Sequence, residues 1–119
     1  MKRVLIIDDE PWQAAVYQRV LSDAYQVEHV TNGFSAIERI DQALPDMIIL
    51  DVLLAGSTAW TLLNELQSHS DLAAIPVLLV TNNSDMDMKH LSVYGVVGLL
   101  DKATMHPNDI RHEIEKVLV

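Results

Sequence analysis

Short apolar runs alternate with amphipathic segments along the whole chain. Four runs are apolar throughout, and they occupy Val4–Ile7, Met47–Leu50, Val77–Val80 and Val96–Leu100. Such runs are typical of parallel strands that are buried on both faces of a sheet. The segment Gln26–Val30 instead alternates between polar and apolar residues, which predicts a half-exposed edge strand.

The intervals between these runs carry apolar residues at helical spacing, and Pro11 suits the first position of a helix. The predicted apolar stripes consist of Ala15, Val16, Val20 and Leu21; Phe34, Ile37 and Ile40; Leu62, Leu63 and Leu66; and Ile110, Ile114, Val117 and Leu118. The polar, methionine-containing segment from Ser84 to Tyr94 is predicted as the fourth of five helices. The resulting order βαβαβαβαβα predicts an α/β fold, a doubly wound parallel sheet with helices on both faces.

The composition of the chain limits the kinds of site and function that this fold can have. The 119 residues, half of them apolar, predict one domain spanning 1–119. The absence of cysteine excludes a disulfide scaffold, a thiolate zinc site and a cysteine nucleophile. A net charge of −9 argues against nucleic-acid binding, since that affinity comes largely from cations that neutralise phosphates. The first apolar run ends at Asp8, too short for a secretory signal, and no run suits a membrane span, so a cytoplasmic domain is expected.

Polar residues follow the predicted strands at the points where those strands end. Asp8 and Asp9 follow the first strand, Asp51 the third, Thr81 the fourth and Lys102 the fifth. In open α/β sheets, ligands bind beyond the carboxyl ends of the strands, where the strand order reverses. For the flavodoxin-like order 2-1-3-4-5, that point lies between the first and third strands. The three aspartates are therefore expected to converge there, flanked by Thr81 and Lys102.

This set of side chains indicates phosphoryl and metal chemistry. Several carboxylates share a small site only if some are protonated or a cation intervenes, and an all-oxygen site suits Mg²⁺. A carboxylate can also act as a nucleophile and form an aspartyl-phosphate. Lys102 could neutralise charge on a phosphoryl group, and the Thr81 hydroxyl could donate to one of its oxygens. Taken singly, an acidic run before a proline often only caps a helix, so the conjunction of all these positions carries the prediction.

The chain resembles the receiver domain of two-component response regulators over essentially its whole length. The matching segments are Val4–Pro11, Pro45–Asp51, Pro76–Thr81 and Lys102 ahead of the last helix. The intervals from Asp8 to Asp51, on to Thr81 and on to Lys102 are 43, 30 and 21 residues, and they are similar to those of that family.

The resemblance implies a role for each matching residue. Asp51 is expected to accept a phosphoryl group from a phosphohistidine on a sensor histidine kinase or phosphotransfer domain. Asp9, Asp51 and the Leu53 backbone carbonyl are expected to ligate Mg²⁺ directly, and Asp8 mostly through water. Lys102 would contact the phosphoryl group and Thr81 would move toward it, shifting the population of the face built from the fourth helix, fifth strand and fifth helix. An output domain, a target protein or a homodimer are the further expected partners.

Several residues around the site depart from the family pattern. Leu54-Ala55 replaces a Met-Pro pair, Ala59 a glycine, Asn82 a small residue, Ala103 a proline and Leu99 the aromatic residue that normally couples to the threonine. These departures favour phosphorylation chemistry over the usual aromatic switch, with output by a different route or weaker output. Without the proline, the Lys102–Ala103 peptide bond is predicted to be trans, because a non-proline cis bond costs about 2.5–4 kcal/mol.

Three other functions share parts of the pattern. Phosphatases of the haloacid-dehalogenase kind need Asp-x-Asp after the first strand, whereas this chain has Asp8-Asp9-Glu10. A flavodoxin-type electron carrier needs a phosphate-binding loop at the same place, where these acids would repel phosphate. A degenerate receiver that serves only as a phosphorylation-independent docking module stays open.

Trp12 and the histidines lie outside the motif. Trp12 lies one turn beyond the acidic residues. It is expected to be a core or rim residue, with a contact for a kinase as the alternative. The histidines share no ligand spacing and are expected in surface or capping roles; they are His29, His69, His90, His106 and His112.

Overall fold

Five parallel strands form the central sheet of the computed structural model, which describes residues 1–54, 57–82 and 88–118. The strands are β1 (Arg3–Ile7), β2 (Gln26–Val30), β3 (Met47–Asp51), β4 (Val77–Thr81) and β5 (Val96–Asp101). They are hydrogen-bonded in the order β2-β1-β3-β4-β5, which confirms the predicted doubly wound sheet and its strand order. A separate antiparallel hairpin, Leu53–Leu54 with Ser57–Thr58, follows β3 directly.

Among the described residues, four α-helices lie between successive strands and a fifth follows β5: α1 (Pro11–Leu21), α2 (Gly33–Gln42), α3 (Ala59–Gln67), α4 (Met88–Leu91) and α5 (Pro107–Val117). A 3-10 turn, Ser92–Tyr94, continues α4 and ends at Gly95, whose φ of 81° lies in the left-handed region that glycine adopts freely. The first part of the predicted fourth helix, residues 84–87, lies outside the described residues. None of the described helices is long and apolar enough to cross a membrane.

The core has two layers because successive side chains of a strand point to opposite faces of the sheet. Val4 and Ile6 pack with α1 and α5, whereas Leu5 and Ile7 pack with α2 and α3. The central strands β3 and β4 are buried at every position, as their continuous apolar runs predicted. β2 is only half-buried at most positions, as expected for an edge strand.

Two of the predicted helix stripes are shifted. On α1 the buried residues are Ala14, Tyr17 and Leu21, and the predicted Ala15 is exposed, because the helix turns its i, i+3, i+7 row toward the sheet. On α2 the predicted Phe34 is 76% exposed and the smaller Ala36 packs instead. The stripes of α3 and α5 were predicted correctly at their buried positions: Leu62, Leu63, Leu66, Ile110 and Ile114.

The strand register brings the polar residues to one edge of the sheet. Ile7 pairs with Leu50 and Asp51 with Val80, so β1, β3 and β4 end at nearly the same level. At the end of β4, Thr81 pairs with Asp101 of β5. The residues that follow these strands therefore face one another across the switch point between β1 and β3.

Candidate functional site at the carboxyl edge of the sheet

Three aspartates converge where the sequence predicts them. Asp8 follows β1, Asp9 is the next residue, and Asp51 is the last residue of β3. Each offers a carboxylate oxygen, and these three oxygens lie within 4.8 Å of one another. Asp8 is 1% exposed and Asp51 is 4% exposed, whereas Asp9 is exposed. The cluster is thus a half-buried acidic site that opens to solvent on the Asp9 side.

Asp8 is held firmly but its charge is poorly compensated. Its backbone N–H donates to the Val30 carbonyl over 3.1 Å, and its Oδ1 accepts from the Glu10 N–H over 2.8 Å. Its other oxygen, Oδ2, is buried and has no hydrogen-bond partner among the described residues. Burial, reinforced by the negative charge of Asp51, raises the pKa of Asp8 from 3.8 to about 6.

Lys102 supplies the cation that faces these carboxylates. Its Nζ donates to Asp51 Oδ2 over 2.9 Å, and its side chain is only 15% exposed. A charge-assisted bond in such a sheltered place is stronger than a neutral one. The Lys102 N–H also donates to the Thr81 carbonyl over 2.8 Å, so the ends of β4 and β5 are joined beside the site. Thr81 itself is 4% exposed. The structure therefore brings together the side chains of Asp8, Asp9, Asp51 and Lys102, and it places the backbone of Thr81 beside them.

The donor set fits a hard divalent cation. Its three carboxylates offer only oxygen ligands, and one of those oxygens is buried without a partner. Among the described residues at the site, Lys102 supplies one positive charge, bonded to Asp51, against three carboxylates, so negative charge remains in excess. Leu53 begins the hairpin two residues beyond Asp51, which places its backbone directly after β3. Among the described residues, this is the cluster of acidic or histidine ligands that could hold a metal ion.

Two residues at the site were not predicted from the sequence. His29, expected at the surface or in a capping role, is half-buried, and its Nε2 donates to the Asp8 carbonyl over 2.7 Å. Tyr17 lies below the cluster in the core, 1% exposed, and its hydroxyl has no partner among the described residues. Burial and the charges of Asp8 and Asp51 raise the pKa of Tyr17. The available signal was position alone: His29 is on the strand beside β1, and Tyr17 is two turns into the helix that follows Asp9.

An open depression lies beside the site, and Trp12 stands at its rim. It has a volume of about 390 Å³ and is lined by Glu10, Trp12, Gln13, Val16, Tyr17, Lys102, Met105 and Pro107. Trp12 is 82% exposed, which places it at the rim of the site and excludes it from the core. The depression thus joins an exposed aromatic surface to the lysine that contacts Asp51.

Two of the residues that depart from the family pattern lie in or directly after the strands that end at this edge. Leu99 is half-buried in β5, and Asn82 is exposed directly after Thr81. Ala55 lies outside the described residues. The structure contains no cis peptide bond among the described residues, so the Lys102–Ala103 bond is trans, as predicted.

The family model of the response regulator receiver domain matches residues 4–115. The chain therefore belongs to the receiver domains of two-component response regulators. Members of this family are signalling modules that carry a phosphoacceptor, pair with histidine kinases and output domains, and typically bind Mg²⁺ at an acidic pocket. The resemblance predicted from the sequence motifs is confirmed.

Individual relatives support the same assignment. The chain is 29% identical over 82 residues to the protein PilH of Pseudomonas aeruginosa, which covers 68% of each chain. It is 29% identical over 87 residues to the sensor histidine kinase TmoS of Ectopseudomonas mendocina, covering 73% of this chain and 9% of TmoS. Its structure is similar to that of the chemotaxis response regulator CheY4 of Vibrio cholerae, with a TM-score of 0.88, 27% identity and 99% of each chain covered.

Proposed function

We propose that residues 1–119 form one receiver domain and that Asp51 is its phosphoacceptor, taking the phosphoryl group from a phosphohistidine of a sensor histidine kinase or phosphotransfer domain. The observation that carries the proposal is the Asp51 carboxylate, 4% exposed, bonded to Lys102 Nζ over 2.9 Å and lying beside Asp8 and Asp9. No second candidate is favoured. A docking module that is never phosphorylated has no need of a buried lysine–aspartate pair within a carboxylate cluster.

Each residue of the site has a separate role in the proposed transfer of the phosphoryl group. A carboxylate oxygen of Asp51 attacks phosphorus, the bond from phosphorus to the donor imidazole nitrogen breaks, and the electron pair leaves with the imidazole. Lys102 lies where it can donate to the incoming phosphoryl oxygens as their charge develops. Asp8, Asp9, Asp51 and the Leu53 carbonyl would hold Mg²⁺, which supplies positive charge beside the phosphoryl group.

The signal is proposed to leave the site through α4, β5 and α5. Thr81 lies at the end of β4, and its carbonyl accepts from the Lys102 N–H, so changes at the site reach β5 through the backbone. Leu99 lies in β5 where the usual aromatic residue is missing, so the shift depends on this backbone link and on apolar packing. Val93 and Val97, 69% and 45% exposed, provide apolar surface on the face that would contact an output domain, a target or a second copy.

The depression at Trp12 is proposed to receive the phosphodonor. It opens next to Lys102, and the exposed indole at its rim offers a large apolar contact close to Asp51. A donor helix bound there would present its histidine toward the acidic cluster.

The test is direct phosphorylation of the whole chain. With acetyl phosphate and Mg²⁺, intact-mass measurement should show the gain of one phosphoryl group, and Asp51→Asn should abolish it. Asp41→Asn, which removes an exposed carboxylate at the far end of α2, should gain the group like the parent. A gain by Asp51→Asn equal to that of the parent would show that the acceptor is another residue. No gain by the parent, with acetyl phosphate or with a phosphohistidine donor, would favour the docking module.

A further inference from the structure

The side chain of His29 makes a polar contact to the main chain at the acidic site. His29 lies in β2 in register with Ile6 of β1, two residues short of Asp8. Its Nε2 lies 2.7 Å from the Asp8 carbonyl oxygen, and the residue is half-buried. A carbonyl can only accept, so the ring donates this bond from Nε2–H. The contact therefore joins the edge strand to the backbone of a residue in the carboxylate cluster.

This contact replaces a missing rung of the β1–β2 ladder. The Asp8 N–H donates to the Val30 carbonyl over 3.1 Å, so the ladder continues one residue beyond the end of β1. In a continuing parallel ladder, the Asp8 carbonyl would next accept from the backbone N–H two residues beyond Val30, that of Asn32. β2 ends at Val30, and Asn32 is the N-cap of α2, where its Oδ1 accepts from the Ser35 N–H over 2.8 Å. The imidazole supplies the donor that the strand no longer provides.

We infer that His29 is a positioning residue that fixes the backbone of Asp8 and thereby prepares the three carboxylates for a divalent cation. Asp8 is then held at its N–H by Val30, at its carbonyl by His29 and at Oδ1 by Glu10. Its remaining oxygen, Oδ2, is the buried one without a partner.

The need for such restraint follows from charge. The cluster brings three carboxylate oxygens within 4.8 Å, and like charges at that distance repel when no cation separates them. A loop free to relax would move Asp8 away, and each binding event would have to bring it back. Residues that orient metal ligands typically affect metal affinity about 10–100-fold, although they never touch the ion. The inference rests on the proposed Mg²⁺ site and adds to it the residue that prearranges it.

The test compares two side chains of nearly equal length, one with a donor and one without. Glutamine can donate an amide N–H to the Asp8 carbonyl, whereas methionine cannot. Calorimetric titration with Mg²⁺ on the full chain should show His29→Met binding about tenfold more weakly, and His29→Gln within about threefold of the parent. His112→Met, an exposed histidine on α5, serves as the matched control and should bind like the parent.

A second readout reports the contact without metal. In parent protein labelled at nitrogen and carbon and free of Mg²⁺, nuclear magnetic resonance should show a slowly exchanging His29 Nε2–H, with Nε2 coupled through the hydrogen bond to the Asp8 carbonyl carbon. Absence of that coupling would overturn the inference, even if a variant fails to fold. Equal Mg²⁺ affinity of the parent and a folded His29→Met would overturn it as well. If the parent binds no Mg²⁺ at all, the proposed metal site is wrong. That result differs from an absent coupling and from an unchanged affinity of His29→Met, which concern His29 alone.

Discussion

Replacing Asp8 with asparagine removes a buried negative charge and keeps the shape of the side chain. The asparagine Oδ1 can still accept from the Glu10 N–H, which is 2.8 Å from Asp8 Oδ1. The change therefore isolates the cost of ionising a carboxylate that is 1% exposed and faces Asp51. In the absence of a divalent cation we expect Asp8→Asn to be more stable than the parent at neutral pH.

The size of the effect follows from the pKa of Asp8, which rises from 3.8 to about 6 on folding. Between those values the folded state binds more protons than the unfolded state, so the free energy of unfolding falls as pH rises. Each unit of difference between the folded and unfolded pKa corresponds to about 1.4 kcal/mol. The ionised form of Asp8 therefore destabilises the folded state by about 3 kcal/mol above pH 6. The favourable contribution of Asp8 is thus fully present below pH 3.8 and lost above about pH 6.

Urea unfolding followed by circular dichroism between pH 4 and pH 8, with a chelator present, measures this difference. Asp8→Asn should gain up to about 3 kcal/mol over the parent at pH 7.5, and the gain should shrink toward pH 4. Added Mg²⁺ should stabilise the parent more than the variant, because the ion offsets the charge that the variant lacks. Asp41→Asn, at an exposed position, should stay within about 0.5 kcal/mol of the parent throughout. A variant no more stable than the parent at pH 7.5, or a gain independent of pH, would refute the argument.

Two further predictions concern residues that contact or underlie the site. Lys102→Met removes the ammonium bonded to Asp51 and should slow phosphorylation by acetyl phosphate about 100-fold without unfolding the domain, as measured by intact mass against time. An unchanged rate would mean that the lysine does not act on the phosphoryl group. Tyr17→Phe removes a buried hydroxyl that has no partner among the described residues, so the free energy of unfolding should stay equal or rise by up to about 1 kcal/mol. A loss of more than that in urea titrations would reveal a polar partner for the hydroxyl.

The sheet could be predicted from the sequence because each strand is buried in a recognisable way. The run Met47–Leu50 predicted β3 to within one residue, and the alternation of Gln26–Val30 predicted β2 with its bounds. Since parallel strands end at a common edge, the convergence of Asp8, Asp51 and Lys102 followed from their places after the strands together with the predicted strand order.

The rest depended on contacts that local patterns do not encode. The bond from His29 to Asp8 requires the register of β1 with β2 and the point at which β2 ends, and neither is visible in one strand. The burial of Tyr17 depends on which face of α1 is turned toward the sheet. On so short a helix, the spacing of apolar residues defines that face only to within one residue. The raised pKa of Asp8 results from the burial of its carboxylate and from the nearby charge of Asp51, and both arise only on folding.

The all-parallel topology has a consequence for the order in which the domain is made. β1 pairs with β2 across 23 residues and with β3 across 43, so every rung of its ladders closes a long loop. Such pairing is slow, because loop-closure entropy is lost before contacts compensate for it. Lys102 lies 51 residues after Asp51. On the ribosome, the three aspartates are therefore synthesised long before their ammonium partner, and the acidic site becomes complete only when the last strand has joined the sheet.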